Sequence, residues 1–365
     1  MFNCDVKVLA EALYNVGKAC ASKAAIPAME GIKFVVEDNV LKLTGYDLEI
    51  GMTTEIPVYT DETIEFIVNA KNIVDMVRNL PEETVEFTVE DGLNIKLQSG
   101  KVKYTIKGMN TEEYSKLPLF TPETKVTLTQ DILKSMIEQT IFSVATSDQK
   151  PVLRGELFDI KDGVFNLVSS DNMRLSLRTE KISTEVNYKF VVPSKALAAI
   201  AHILQNDNEK EVEFSSNGKH AIFNFNGYTV FTRLIDGEFN NYSALLTNEF
   251  KTEVIVSVSE FSKFLSSVTF LISEKAKNYV KCTFENDNIN LDFKSNEGNF
   301  NGDVEANITG ETMIIGVNPK FMLEALKASD CDKVLIKMNG AMKPFVVSPI
   351  QGDSFTYLIM PVNIK

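Results

Sequence analysis

DILKSMIEQTI at residues 131–141 opens a stretch, 126–247, whose order of segments decides the fold of the whole chain. Apolar residues recur in this opening segment every three or four positions, which predicts an amphipathic helix packed on one side. Two strand-like runs follow at 154–160 and 164–169, and a second helix begins at FVVPSK, residues 190–195. Three more strand-like runs end the stretch. We therefore predict one unit made of two similar halves, each a helix followed by strands.

The same unit recurs upstream and downstream of this stretch. Before the second helix of each copy the sequence reads FIVNAK at 66–71, FVVPSK at 190–195 and IGVNPK at 315–320. Each of these segments has an apolar strand end, a residue that interrupts the strand, and a lysine two positions later. One such match would be chance, but three in the same order indicate an internal repeat. We therefore predict three copies of one unit, or six half-units.

The length of the chain agrees with three domains. A chain of 365 residues is too long for one ordinary core, whereas three units of roughly 120 residues match the common domain size. Proline, asparagine and charged residues interrupt the periodicity near 119–125 and 247–253, which predicts linkers there. The predicted fold class is α+β with antiparallel sheets, and the predicted domains are 1–122 (N-terminal), 123–249 (central) and 250–365 (C-terminal).

Composition predicts a soluble protein of the cytoplasm. Apolar residues make up 44% of the chain and charged residues 24%, and no apolar run reaches the length of about 18 residues that indicates a membrane helix. The first residues have neither the basic segment nor the apolar core of a signal peptide. The four cysteines are scattered without a Cys-x-x-Cys pair, which predicts reduced, mostly buried thiols rather than disulfides or a zinc site.

Charge is distributed unevenly along the chain. The net charge of -13, from 37 basic and 50 acidic residues, argues against a nucleic-acid partner by the usual first rule. The predicted helices reverse this balance, and their lysines recur at equivalent positions in successive copies. A basic helical surface of this kind suits a polyanion that is bound without sequence readout. The alternative explanation is that these lysines are ordinary solvated residues on exposed helix faces.

Sequence signatures of an enzyme are largely absent. The chain has no phosphate-binding loop, dinucleotide fingerprint, nucleophile elbow or His-Glu-x-x-His motif. The carboxylates that come nearest to an acid pair are Asp47, Glu49 and Asp171, but Asp47 and Asp171 occupy equivalent positions in two copies. Repetition at a structural position favours a role in a turn over catalysis. His202 and His220 belong to no motif, so we predict no catalytic residue, no metal site and no cofactor.

Several short segments, in their order and spacing, resemble one bacterial family. These segments are Ile26-Pro27, Thr44-Gly45-Tyr46-Asp47-Leu48-Glu49-Ile50, Pro151-Val152-Leu153-Arg154-Gly155, Ser170-Asp171-Asn172-Met173-Arg174-Leu175, Leu234-Ile235-Asp236-Gly237-Glu238-Phe239 and Tyr357-Leu358-Ile359-Met360-Pro361-Val362. Each segment is a weak signal alone, but together they span three repeats. Over its whole length the chain resembles the DNA polymerase III β subunits, the sliding clamps.

The chain departs from the pattern of this family at three places. An aspartate-glycine-histidine-arginine-leucine segment of the family is Asp171-Asn172-Met173-Arg174-Leu175 here. A phenylalanine-proline-aspartate-tyrosine segment is Phe239-Asn240-Asn241-Tyr242, and the basic residue after Met360-Pro361 is replaced at Asn363, with Lys365 extending the tail. These departures leave the fold unaffected and leave the peptide preference of the family's binding pocket open.

The resemblance implies a non-catalytic processivity factor. Two three-domain chains would close head to tail into a ring, with helices inside and sheets outside, around duplex DNA that is not read by sequence. A repeat that presents the same helical face each time curves into an arc, which a heterologous contact can close. An apolar pocket of the second and third domains would bind short linear motifs of the replicative DNA polymerase, the clamp loader, repair polymerases and mismatch-repair proteins.

Three sets of residues are predicted to form these sites. The DNA-facing residues are Lys23, Lys71, Arg78, Lys134, Lys195, Lys263 and Lys320. The dimer contact joins the strand at 101–107, centred on Tyr104, to Phe270 and Leu271, because an edge strand needs a cover. By resemblance, the walls of the peptide pocket are Leu153, Ser170, Asn172, Met173, Arg174, Leu175, Asn240, Ala244, Leu245, Asn318, Phe321, Met342, Pro344, Leu358, Ile359, Met360, Pro361 and Val362.

Two other classes of function remain open at this point. A repeat-built scaffold that binds protein but not DNA would share the architecture. A hydrolase on a repeated fold would need a clustered acid pair, which the alignment of the repeats does not supply.

Overall fold

The computed structural model of the chain describes residues 1–60, 62–118, 120–147, 149–246, 249–272 and 279–364. The terminal Lys365 and parts of both predicted linkers, including Leu119, Thr247 and Asn248, lie outside the described residues. The helices of the described residues are α1 (Val6–Gly17), α2 (Ala70–Arg78), α3 (Gln130–Glu138), α4 (Ser194–Ile203), α5 (Val258–Thr269) and α6 (Pro319–Ala328). They correspond to the six predicted half-units. Within these ranges no helix is both long enough and apolar enough to cross a membrane.

Antiparallel strands make up most of the remaining regular structure. In chain order they are β1 (Phe2–Asp5), β2 (Gly31–Glu37), β3 (Val40–Tyr46), β4 (Ile50–Pro57), β5 (Tyr59–Thr60), β6 (Ile64–Asn69), β7 (Thr84–Glu90), β8 (Asn94–Ser99), β9 (Val102–Lys107), β10 (Val126–Thr129), β11 (Gly155–Lys161), β12 (Val164–Ser170), β13 (Arg174–Lys181), β14 (Tyr188–Pro193), β15 (Glu211–Ser216), β16 (His220–Phe225), β17 (Tyr228–Arg233), β18 (Thr252–Ser257), β19 (Val280–Glu285), β20 (Asn288–Lys294), β21 (Asn299–Gly310), β22 (Met313–Val317), β23 (Lys333–Met338), β24 (Phe345–Ser348) and β25 (Phe355–Ile359).

The residues that interrupt the repeated strand ends are helix caps in two of the three copies. Asn69 accepts a hydrogen bond from the amide of Asn72 at 3.2 Å, and Asn318 accepts one from the amide of Lys320 at 3.0 Å. An asparagine in this position satisfies an amide that the first helical turn leaves without a partner. The repeated motif therefore sets where α2 and α6 begin.

The helix predicted over 131–141 is shorter than expected. It ends at Glu138, and Ile141 lies in a separate 3-10 turn, Ile141–Ser143. The hydroxyl of Thr140 donates to the carbonyl oxygen of Met136 at 2.7 Å and also reaches Glu156. A threonine that bonds back to the preceding turn competes with continued helix, so the sequence periodicity overestimated the length of α3.

The chain divides into two compact units. The first comprises residues 1–134 and 195–234, and the second comprises 135–194 and 235–365. The first unit contains sheets of order β5-β1-β7-β8-β9 and β10-β15-β16-β17-β4-β3-β2-β6, and the second contains one of order β14-β11-β12-β13-β25-β24-β23-β18-β21-β20-β19-β22. These units differ from the three predicted domains because two sheets continue across the predicted boundaries. The boundaries at 122 and 249 therefore stay a prediction.

Two strand pairings join segments of different predicted domains. In the first unit β4 pairs with β17, with Gly51 opposite Phe231. In the second unit β13 pairs with β25, with Leu175 opposite Leu358. We call these pairings the first junction and the second junction.

Each unit buries an apolar face of its helices. α1 buries Leu9, Leu13 and Val16 in the first unit, and α5 buries Phe261 and Leu265 in the second. This spacing of three or four residues is the one that the sequence showed. The cysteines are free thiols, as predicted, with Cys4, Cys20 and Cys282 buried and Cys331 partly exposed.

A buried carboxyl lies among hydroxyl groups in the second unit. Glu156 on β11 is fully buried; one of its oxygens is hydrogen-bonded to the Thr140 hydroxyl, and the other has no hydrogen-bond partner among the described residues. The hydroxyls of Ser143 and Ser176 lie 2.6 Å apart in the same unit. Burial raises the pKa of Glu156 to about 8, against the opposing effect of the Thr140 hydrogen bond. The folded protein therefore holds this carboxyl protonated at neutral pH.

Replacing Glu156 by glutamine should stabilise the protein at neutral pH. The unfolded carboxyl ionises near its ordinary pKa of 4.5, whereas the folded one ionises near 8. Stability linked to Glu156 is therefore complete below pH 4.5 and is lost as the pH rises towards 8, by up to about 1.4 kcal/mol per pH unit. We expect the gain in unfolding free energy of Glu156→Gln, measured in urea, to grow across this window. A gain that does not change with pH would contradict a buried, protonated carboxyl.

Candidate functional site

A tight turn at the second junction presents Met173. The carboxylate of Asp171 accepts hydrogen bonds from the amides of Met173 and Arg174, both at 2.9 Å. The Ser170 hydroxyl donates to the carbonyl oxygen of Arg174 at 2.8 Å, and Asn172 has a positive φ of 70°. Asparagine tolerates this left-handed conformation better than most residues. The turn leaves the Met173 side chain 48% exposed.

Arg174 is an internal support of this turn. Its side chain is 7% exposed and bonds to the carboxylates of Asp171 and Glu324 and to the carbonyl oxygen of Phe142. The guanidinium also lies over the rings of Phe142 and Phe321, 5.3 Å and 4.3 Å from their centroids. Its donors are therefore engaged within the chain, and its contribution to a pocket would be to hold Phe321 in place.

The C-terminal tail is bonded on both sides. The amide of Met360 donates to the carbonyl oxygen of Met173 at 2.9 Å, and the amide of Val362 donates to the carbonyl oxygen of Gly316 at 2.8 Å. A Cβ atom on Gly316 would lie 2.3 Å from the Val362 carbonyl oxygen. Glycine at this position therefore permits the tail to cross beside β22.

The predicted pocket residues fall into three groups by exposure. The buried ones are Leu153, Ser170, Arg174, Leu175, Leu358, Ile359 and Pro361. The half-buried ones are Asn240, Asn318, Phe321, Pro344, Met360 and Val362. The exposed ones are Asn172, Met173, Ala244, Leu245 and Met342. The buried group forms the structural base, so only the other two groups can contact a ligand directly.

Two positions that depart from the family pattern meet in the structure. The side-chain amide of Asn240 donates to the Asn172 side-chain oxygen at 3.4 Å, and Lys150 donates to the Asn240 side-chain oxygen. This contact ties the loop at 239–242 to the turn at 171–174. Because Met173 in turn bonds to the tail, the structure brings the turn, the loop and the tail into one place.

A cavity of about 500 Å³ lies elsewhere in the second unit and shares two residues with the Arg174 network. Its lining includes Phe142, Glu324, Ser135, Glu138 and Asp330. It does not include the exposed apolar residues of the predicted pocket.

A basic cluster surrounds Tyr14 in the first unit. The ammonium of Lys18 lies 4.6 Å and the guanidinium of Arg78 5.7 Å from the centroid of the Tyr14 ring. Tyr14, Lys18, Arg78 and Lys71 line a cavity of about 490 Å³ beside α1 and α2. The His202 ring packs edge-on at 5.5 Å from Tyr14. The predicted DNA-facing residues Lys71 and Arg78 therefore belong to one larger group.

Three members of this group were not predicted as DNA-facing. Tyr14 and Lys18 lie four residues apart at the end of α1, a spacing that places them on one helix face, and this was the available signal. Burial, with the charges of Lys18 and Lys134, lowers the pKa of His202. Predicted residue Lys134 is therefore close to the same cluster, and His202 stays neutral at physiological pH.

Lys195 has a different environment. Its ammonium forms an ion pair with Asp47, whose side chain is 7% exposed. Asp47 also accepts from the amide of Ile50 at 2.8 Å, which confirms a structural role in a turn. The charge of Lys195 is therefore partly neutralised by Asp47. No local sequence pattern predicts this ion pair, because the two residues are far apart in the chain.

The remaining predicted residues lie on the surface of their units. Lys23, Lys263 and Lys320 are exposed, with Lys23 in the segment after α1 rather than on a helix. Tyr104 is half-buried on β9. Phe270, at the end of α5, is 88% exposed, whereas Leu271 packs against the apolar core of the second unit. Of the two residues predicted on this side of the dimer contact, only Phe270 is exposed.

Comparisons with known proteins agree over the whole chain. The family descriptions DNA polymerase III beta subunit, N-terminal, central and C-terminal domain match residues 1–118, 127–241 and 243–363. The beta sliding clamp of Bacillus subtilis (strain 168) is 30% identical, over 97% of this chain and 97% of its own length. That of Halalkalibacterium halodurans is 30% identical over 99% of each chain.

Solved structures show the same likeness. The crystal structure of the DNA polymerase sliding clamp from Bacillus subtilis covers all of this chain with a TM-score of 0.94 and 29% identity. The beta subunit from Thermotoga maritima does so with a TM-score of 0.94 and 25% identity. The fold and the site thus define a clamp subunit built of three repeated domains.

The chain belongs to the DNA polymerase III beta subunit family, the bacterial sliding clamps. It is a non-catalytic processivity subunit of DNA replication. This confirms the resemblance and the α+β class with three clamp domains.

Proposed function

We propose that two copies of the chain close head to tail into a ring around duplex DNA and tether replication proteins through the second junction. One observation supports the closed ring. Two junctions pair strands of successive repeats within the chain, while β9 and the first half of β21 keep an edge without a strand partner among the described residues. In the proposed ring, these two edges form a third junction of the same kind between copies. Residues 1–122, 123–249 and 250–365 would be the three domains of each copy.

Charge favours this third junction. The free edge strand β9 carries exposed Lys103 and follows exposed Lys101. Residues 299–305 of β21 pair only with β20 and carry exposed Asp303 and Glu305. Hydrogen bonds from Asn290 and Asn288 lower the pKa of Asp303, so it is ionised. Opposite charges on the two strands would steer the copies into the heterologous arrangement.

Phe270 supplies the apolar part of the contact. It lies next to Leu271, whose carbonyl oxygen accepts from the Ser295 hydroxyl at 3.2 Å, close to the start of β21. An exposed aromatic side chain beside an open strand edge is a feature of interaction sites.

Phe270→Ala should convert the dimer to monomers. The side chain is almost fully exposed in one copy, so its loss removes interface contacts without a cavity in the core. We expect monomers in sedimentation velocity at micromolar concentration. Tyr59→Ala is the matched control, because Tyr59 is also an exposed aromatic residue, at 81%. Equal dimer affinity in the two variants would exclude Phe270 from the interface.

The basic cluster around Tyr14 would meet the DNA backbone. Lys18, Lys71 and Arg78 have no carboxylate within ion-pair distance in the part of the chain that the structure describes, so their charges are available to phosphates. Cations that release counterions from DNA bind without reading sequence. A closed ring needs only such weak and mobile contacts, because topology prevents dissociation. The chain would act in the cytoplasm, where bacterial DNA is replicated.

Lys71→Glu/Arg78→Glu should weaken binding to DNA and flatten its dependence on salt. A plot of log affinity against log salt has a negative slope, and each lost phosphate contact reduces the magnitude of this slope by about 0.9. Lys161→Glu/Lys181→Glu, with the same change of charge at exposed strand positions, is the control and should keep the wild-type slope. The assay is retention on nicked circular DNA after loading, with release on linearisation. Equal slopes for the two double variants would contradict the proposal. So would a wild-type protein that stays bound after the DNA is linearised.

The second junction would bind short linear peptides of the replicative polymerase, the clamp loader, repair polymerases and mismatch-repair proteins. Met173, Leu245 and Met342 are large apolar side chains left 48%, 49% and 60% exposed. Apolar surface of this kind marks binding sites, and methionine adapts its shape to different ligands. Arg174 and Glu324 fix the wall beneath them.

Leu245→Ala and Met342→Ala should each reduce affinity for a peptide from the C-terminal tail of the cognate polymerase. Each truncation removes a side chain whose burial contributes about 1.5–3 kcal/mol, so Kd should rise about tenfold or more. Ile350→Ala, at another apolar residue of similar exposure in the same unit, should leave calorimetric affinity unchanged. If all three variants bound the peptide equally, the pocket would lie elsewhere.

A further inference from the structure

The first junction repeats the geometry of the second. The Asp47 carboxylate accepts from the amides of Glu49 and Ile50 at 3.0 and 2.8 Å, just as Asp171 holds its own turn. The residue after each aspartate has a positive φ, 75° for Leu48. A 3-10 turn that begins with proline precedes each hairpin, at Pro27–Glu30 and Pro151–Arg154. The two junctions therefore present the same backbone frame.

Equivalent positions in this frame carry apolar residues. Phe231, which pairs with Gly51 at the first junction, corresponds to Leu358, which pairs with Leu175 at the second. Met29 in the first 3-10 turn corresponds to Leu153 in the second. The difference lies at Gly51, where the first junction has no side chain and the second has a leucine. The absence of a side chain at position 51 therefore leaves an apolar groove beside Phe231 at the first junction.

The chain fills this groove with its own linker. Leu117 and Phe120 pack against the cluster that contains Met29, Tyr46 and Phe231. A Cβ atom on Gly51 would lie 2.1 Å from a methyl carbon of Leu117. The Leu117 side chain thus occupies the space that a side chain at position 51 would need.

Side chains alone hold the linker in place. Within 115–118 and 120–123 no backbone hydrogen bond to the rest of the described chain occurs. The preceding segment is anchored, because the Tyr114 hydroxyl donates to the Thr44 carbonyl oxygen at 2.9 Å. Leu117 and Phe120 are therefore docked through their side chains, as the anchor residues of a peptide ligand are, and can leave without breaking a strand ladder.

We propose that the first junction is a second peptide-binding site, of the same class as the pocket at the second junction, that Leu117 and Phe120 of the linker occupy and mask. Its ligand is a short extended segment with an aliphatic and an aromatic side chain, the chemistry that the linker itself presents. The proposal rests on the proposed function of the second junction. It adds that the free linker sequence is a ligand for both junctions.

Calorimetry with a synthetic peptide of residues 114–122 tests this directly. Wild type should bind one peptide per chain, at the open second junction. Leu117→Ser/Phe120→Ser should bind two, because both grooves are then open. Lys116→Ser/Thr121→Ser, which changes exposed linker residues, is the control and should bind one. Leu245→Asp should block the open pocket at the second junction. With this change added, Leu117→Ser/Phe120→Ser should bind one peptide per chain, whereas Leu245→Asp alone should bind none.

Leu117→Ala provides a second route if the double serine variant does not fold. It removes the methyl groups that lie against Gly51 and keeps an apolar residue in the linker, so it should also bind two peptides. One peptide per chain in both unmasked variants would overturn the masked site, as would no binding of the linker peptide to any variant. Binding of the polymerase-tail peptide to wild type reports separately on the proposed function.

Discussion

Strand pairing across the junctions is the interaction on which the other features depend. At each junction an uninterrupted ladder of backbone hydrogen bonds joins strands from successive repeats, β4 with β17 and β13 with β25. Backbone ladders satisfy every polar group along the contact, whereas the part of the linker at 115–118 contributes only side-chain packing. The two compact units therefore correspond to sets of paired strands and not to the repeats. As a result, the central repeat is shared between the two units.

The candidate peptide pocket is a consequence of the second junction. Pairing of Leu175 with Leu358 continues into the bond between Met173 and Met360, so the turn and the tail are fixed together. The buried Arg174 then links the turn to Glu324 on α6. Arg174 is buried whereas Glu324 is 34% exposed, and the charge-assisted bonds of Arg174 to Asp171 and Glu324 together hold the turn against α6. Met173 and Met342 are both exposed in this unit, and methionine side chains adapt their shape to different ligands.

Much of this was predictable because the information is local and repeated. FIVNAK and IGVNPK place an asparagine cap and a lysine at the start of α2 and α6, and periodicity located the start of α3 to within one residue but overestimated its length. Asp171 and Asp47 were predicted as turn residues from their equivalence, which their hydrogen bonds confirm. The repeat predicted three copies of one unit, and the resemblance identified them as clamp domains, which the family descriptions confirm.

The features that could not be predicted from the sequence depend on contacts between distant segments. The pair between Lys195 and Asp47 joins residues 148 positions apart, and the grouping of Tyr14 with His202 needs the packing of separate helices. Thr140, just after the end of α3, has a hydroxyl that is hydrogen-bonded to Glu156 on β11. Likewise, the filling of the groove above Gly51 by Leu117 has no periodic signature, since a linker has none.

The proposed ring closes where the free edges of β9 and β21 pair with each other between copies. Hydrogen exchange in these two edges can be measured by mass spectrometry on peptides covering 102–107 and 299–305, at concentrations above and below the dimer dissociation constant. Exchange should slow in both segments at high concentration, while β16, which is paired on both sides within the chain, should not change. Exchange that is independent of concentration in either edge segment would contradict ring closure through these strands.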